Sequence, residues 1–287
     1  MTRLLPDRQP SPSVRCQAAW LRLAASVVLT VLAGASLNGR AGAQGKPVSP
    51  RSFDKATAAA WKKAGAQVGW MGNTKGGYPD FRTQPDGLAA AVPAFQFEEW
   101  TANLLARLPD PALPFGLSLS WTEVTDAGLK KLVRLKSLHT LYLDGTHVTG
   151  TGLKDLAGLK SLQSLILAET QMTDAVLKEL AALKSLHTLN LNFTKVTGAG
   201  LNKLAGLKSW QALYLYGTPV TDAWLKELAG LKSLHTLHLG GTQVTDAGLK
   251  ELAGLKSLQS LDFRYAKVTD AGVAALRKAL PACKISR

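Results

Sequence analysis

Three histidines, His139, His187 and His235, stand 48 residues apart, with Gln163, Gln211 and Gln259 alternating with them in the same slot. Converging imidazoles would hold zinc or move protons. Asp144 and Glu169 occupy neighbouring slots, and a pair of carboxylates a few ångströms apart is the equipment of glycoside hydrolysis. "GNTKGG", residues 72–77, has the glycine content of a phosphate-binding loop, but Tyr78 and Pro79 stand where such a loop needs Lys and Ser or Thr.

Whether these groups meet depends on the elements that carry them. The chain repeats itself every 24 residues, with copies beginning at Thr122, Thr146, Thr170, Thr194, Thr218, Thr242 and Ala266, and a degenerate copy from Glu98 to Trp121. Leu129, Leu132, Leu135 and Leu138 recur every third residue, as on a helix face that ends in a tight connection, whereas Leu141 and Leu143 alternate as in a strand. Thr125 and its equivalents precede each helical run, where a hydroxyl caps a free N–H. Asp126, Asp174, Asp222, Asp246 and Asp270 follow and complement the positive helix end; Gly150 and Gly198 replace that Asp in two copies. One unit buries too little to fold alone, so the copies must stack. Stacked strands lie about 4.8 Å apart, which puts histidines of alternate copies about 10 Å apart. Zinc-binding nitrogens sit within about 4 Å of each other. No metal site, no cofactor and no catalytic constellation is therefore expected, and Asp144 and Glu169 read as solvated rim charges.

"LHTLYLDGTHVTGTGLKDLAGLKS", Leu138 to Ser161, resembles the leucine-rich repeat family of bacterial secreted proteins in its ribonuclease-inhibitor-like, 24-residue form. The resemblance runs over residues 98–287. It implies an α/β fold: a right-handed solenoid with a parallel sheet on the concave side and helices on the convex side. Where many members carry Asn or Cys after the strand, this chain has Thr146, Thr170, Thr194, Thr218 and Thr242, whose hydroxyls can bond the neighbouring loop.

Residues 44–97 read as a small α/β N-terminal cap: helical over 52–66, a strand at Gln67–Met71, turns over 72–92. "AFQFEEWTANLLARL" then leads from strand to helix. "ALRKALPACKISR" reads as the C-terminal cap, with a last strand at Lys284–Ile285. Residues 1–43, with Arg3, Arg8, Arg15 and Arg22, the apolar run Leu23–Leu37 and "AGA" at 41–43, have the order of a cleaved signal peptide. The alternative is a membrane anchor over residues 23–39, about 25 Å of helix against a bilayer core of about 30 Å. Cleavage implies a secreted or periplasmic protein and removes five Arg and one Asp, lowering the net charge from +14 to about +10. It also removes Cys16 and leaves Cys283 without a disulfide partner.

With the strand leucines inward, the residues between them face out on the concave sheet: Trp121, Tyr142, Asp144, Asn190, Asn192, Phe193, Tyr214, Tyr216, His238, Asp262, Arg264 and Tyr265. Gly145, Gly217, Gly240 and Gly241 leave recesses among them. Aromatic side chains mixed with amides and charges are what protein-binding surfaces enrich. Lys136, Lys160, Lys184, Lys208, Lys232 and Lys256 form a second column, suited to solubility or to an anionic polymer. The sequence thus describes a non-catalytic extracytoplasmic module that binds a protein partner, an acidic one matching the chain's charge. The alternative is a cell-envelope polymer or polyanion held by the lysines; nucleic acid is not expected for an exported chain.

Overall fold

The structure is a computed structural model and describes residues 52–74, 78–204 and 206–287. The leader of residues 1–43, its alternative as an anchor over 23–39, and Lys75 to Gly77 lie outside the described residues. Residues 50–287 form one compact unit.

Helix α1 (Lys55–Lys63) starts at Asp54, whose carboxylate accepts from the Thr57 N–H at 2.8 Å. It delivers Trp61, fully buried and stacked on Phe95 at 4.1 Å, to close the N-terminal end of the leucine core together with Phe97 and Phe115. Strands β1 (Gln67–Asn73), β2 (Pro79–Arg82) and β3 (Ala89–Gln96) follow, with β1 antiparallel to both others. Residues 72–92, read from the sequence as turns, therefore contain β2 and half of β3. The helix read after β3 is absent: residues 102–107 are turns.

From β3 onward every pairing is parallel. The strands are β4 (Phe115–Ser118), β5 (Leu138–Tyr142), β6 (Ser164–Ile166), β7 (Thr188–Asn190), β8 (Ala212–Tyr214), β9 (Thr236–His238), β10 (Ser260–Asp262) and β11 (Lys284–Ser286). Together they give an 11-stranded sheet in the order β11 to β3 in sequence, then β1 and β2 at the edge. The expected parallel sheet is thus extended by an antiparallel edge. Leu141, Leu165, Leu189, Leu213, Leu237 and Leu261 pair in one line without slippage and are at most 1% exposed.

The opposite side carries α2 (Asp126–Leu132), α3 (Leu177–Leu180), α4 (Gly198–Leu201), α5 (Asp222–Leu225), α6 (Asp246–Leu252) and α7 (Asp270–Ala279). Three stretches, Leu153–Gly158, Asn202–Leu204 and Lys226–Gly230, are 3₁₀ instead. Leucines every third residue suit a 3₁₀ turn, which holds three residues and keeps them on one line, but α2 and α6 carry the same spacing as α-helix. No helix among the described residues is long and apolar enough to cross a membrane.

Two hydroxyl ladders knit the stack. Thr122, Thr146, Thr170, Thr194, Thr218 and Thr242 each donate to the leucine carbonyl three residues back, within the same turn after the strand, at 2.6–2.7 Å. The expected bond to the neighbouring loop is not made. The link between copies comes from the helix-start Asp, which accepts from the next copy's Thr: Asp126 from Thr149, Asp174 from Thr197, Asp222 from Thr245 and Asp246 from Thr269, each at 2.5–2.6 Å from the hydroxyl. The Thr capping role itself is confined to some copies. Thr197, Thr245 and Thr269 accept from their helix N–H groups, whereas Thr125 and Thr221 make no such bond.

Candidate functional site

The strand register aligns Tyr142, Ile166, Asn190, Tyr214, His238 and Asp262 in one column on the sheet face turned away from the leucines. The alternation of the sequence therefore placed these residues on the correct face. It also implied that they are open, and they are not: Tyr142, Asn190, Tyr214, His238 and Asp262 are between 1% and 6% exposed. The chain's own β1 and β2 reach across this face. Met71, Phe81, Val92 and Ala94 pack on Tyr142 and Ile166, Gly116 leaves room for the Met71 sulfur, and the Tyr142 hydroxyl donates to the Asp80 carbonyl at 3.4 Å.

Farther along the column the cover is Tyr78, which precedes β2. Its ring meets His238 edge-to-face at 4.9 Å and lies 6.4 Å from Tyr214. Its hydroxyl donates to Asp262 Oδ2 at 3.2 Å and accepts from Arg264 Nη2 at 2.7 Å. Arg264 closes on Asp262 through Nε and Nη2 at 2.6–3.1 Å, and its backbone N–H adds a bond at 2.9 Å. Burial raises the Asp262 carboxyl, but the bonds and charge of Arg264 outweigh it and hold the group below the usual carboxylate range. Burial drives His238 down to about 4, so the ring is neutral at pH 7. Burial and the Asp262 charge raise Tyr78, which keeps its proton to donate.

Beyond the strands the chain turns through two more columns. In the first, Ser120 donates to Asp144 Oδ2 at 2.9 Å, and Asn192 Oδ1 accepts from the Tyr216 N–H at 2.7 Å. Asn192 is buried, whereas Tyr216, Asp144 and Arg264 are partly exposed. Desolvation pushes the Asp144 carboxyl up to about 6, with a smaller contribution from the Glu169 charge. In the second, Trp121, Gly145, Glu169, Phe193, Gly217, Gly241 and Tyr265 all lie in left-handed backbone, φ 54° to 67°. Trp121, Phe193 and Tyr265 are thus turn residues and not strand residues. Glycine at the same slot in three copies was the available signal. The ring of Trp121 lies where a Cβ on Gly145 would stand, and that of Phe193 where one on Gly217 would stand. Phe193 is 44% and Tyr265 80% exposed, and both meet Tyr216 edge-to-face, at 5.1 and 6.4 Å.

The histidine column stays dispersed: His139 Nδ1 bonds the adjacent Thr140 hydroxyl at 3.0 Å, and among the described residues no group of three His, Cys, Asp or Glu side chains could hold a metal ion. All six column lysines are exposed. Lys160 and Lys256 donate to the Ala157 and Ala279 carbonyls at 2.8 and 2.9 Å, where helical turns end in unpaired carbonyls.

Four stretches of the chain, 117–133, 182–205, 230–253 and 254–276, match the leucine-rich repeat family. No curated protein gives a match to this sequence. Among solved structures, an internalin C2 from Listeria monocytogenes is 27% identical, over 81% of this chain and 83% of that one, with a TM-score of 0.48. An internalin (inlF) from the same organism is 20% identical, over 64% of this chain and 55% of that one, with a TM-score of 0.45. By its strand order, its 24-residue register and the four matched stretches, the chain is a leucine-rich repeat solenoid in fold.

Proposed function

We propose that the chain is a non-catalytic extracytoplasmic binding module that takes a protein partner on the strand side of its solenoid. The observation that carries this reading is the row Phe193, Tyr216 and Tyr265, joined edge-to-face, with Phe193 and Tyr265 exposed and Tyr216 partly so. Two of the three stand in left-handed backbone, which costs a non-glycine residue roughly 1 kcal/mol and which other copies fill with glycine. Rigid aromatic rings held at such a cost are suited to anchoring a partner. Arg264 stands beside Tyr216, and Lys195 and Lys267 are exposed two residues beyond Phe193 and Tyr265, so an acidic partner surface matches this end of the rim. The leader pattern supports export.

The double substitution of Phe193→Ala and Tyr265→Ala tests the reading through crosslinking and mass spectrometry in the native cell envelope. Partner capture should fall at least tenfold with the circular dichroism unchanged; undiminished capture contradicts it. Capture that collapses with added salt and ignores both substitutions would transfer the role to the lysine column and a polyanion.

A further inference from the structure

The concave column ends in a group of aromatic and polar side chains that a tyrosine of the same chain, Tyr78, covers; with the Tyr78 ring removed they would line a pocket. His238 and Tyr214 supply aromatic edges and faces, while Asp262 and Arg264 offer one hydroxyl an acceptor and a donor together. Because Asp262 and Arg264 are locked on each other, the pair has no net charge and suits a neutral phenol. The Tyr78 backbone is tied to Thr74, whose N–H donates to the Tyr78 carbonyl at 2.8 Å and whose hydroxyl accepts from the Tyr78 N–H at 3.3 Å. The side chain, by contrast, is held by its ring and hydroxyl contacts and the residue remains 39% exposed, unlike the apolar cluster around Met71 and Phe81.

We propose that this pocket reads a tyrosine side chain of the partner protein, which takes the place of Tyr78, and that Tyr78 occupies the site between encounters. The inference rests on the strand-side binding role proposed above. A site built to bond a hydroxyl discriminates strongly against the analogue that lacks it, so phenylalanine is a poor substitute. Phosphotyrosine is excluded because its charge would face the Asp262 carboxylate.

Full-length protein carrying Tyr78→Ala vacates the pocket. Titrated with N-acetyltyrosinamide and followed by NMR, it should show saturable binding at roughly millimolar concentration. The wild-type protein should show none. Adding Arg264→Ala should weaken binding at least tenfold, N-acetylphenylalaninamide should bind about tenfold more weakly, and phosphotyrosine should not bind. Tyr78→Ser is the second variant, with circular dichroism reporting the fold of each. The proposal is overturned if a folded variant shows no saturable binding, if the phenylalanine analogue binds equally, or if phosphotyrosine binds better. It is also overturned if neither variant folds, which would make Tyr78 a structural clasp. Loss of partner capture on Phe193→Ala with Tyr265→Ala, without tyrosinamide binding here, would sink this pocket and leave the strand-side role standing.

Discussion

Tyr265 is 80% exposed and sits at φ 62°, where a glycine would carry no steric penalty. Tyr265→Gly should therefore raise stability by about 0.5–1 kcal/mol in denaturant unfolding while weakening partner capture, the usual conflict between a stable and a working surface. A second residue sets a pH dependence. Asp144 is held at about 6 by burial, above its ordinary value of 3.8, so the folded state binds a proton more tightly than the unfolded one. Stability from this group is then present at low pH and is lost as pH rises through 4 to 6. Asp144→Asn, which keeps an acceptor for Ser120, should flatten that part of the thermal-stability profile and gain about 1–2 kcal/mol at pH 7.5. At this scale the sequence showed which slot faces which side, because alternation is local. It could not show that Tyr214 and Asp262 are covered, because the contact with Tyr78 joins residues 184 positions apart.

The repeat unit is held to its neighbour by the helix-start Asp and the following copy's Thr. Asp222 accepts from both the backbone N–H and the hydroxyl of Thr245, at 2.8 and 2.6 Å. Asp222→Ala should cost about 1–2 kcal/mol, seen as a lower denaturation midpoint with faster amide exchange in α6. The two copies without this Asp explain themselves. Gly152, Gly200, Gly248 and Gly272 make room for the Asp of the preceding copy, whereas Gly150 and Gly198 lie against Val176 and Trp224, which stand at that glycine slot. Asp goes with Gly, and Gly with a bulky side chain. That exchange was legible in the aligned copies, yet the sequence reading assigned Asp to the helix dipole, because the partner hydroxyl stands 23 residues away.

For the whole molecule, the 24-residue period made the solenoid legible, since in a quasi-one-dimensional stack each copy contacts only its neighbours. In the segment that breaks the period, β1 and the end of β3 were legible as strands, but β2 and the path that lays this segment over the sheet were not, and that path decides which part of the concave face is open. It seals the column from Tyr142 to Asp262 and leaves the turn-side row of Trp121, Phe193, Tyr216 and Tyr265 as the accessible aromatic surface. Hydroxyl-radical footprinting of the protein, alone and with its captured partner, tests this division most directly. In the free protein Phe193 and Tyr265 should label strongly and Tyr142 and Tyr214 weakly, and the partner should suppress labelling of Phe193, Tyr216 and Tyr265 several-fold. Strong labelling of Tyr142 and Tyr214 in the free protein, or a footprint confined to the helical side, would contradict the account.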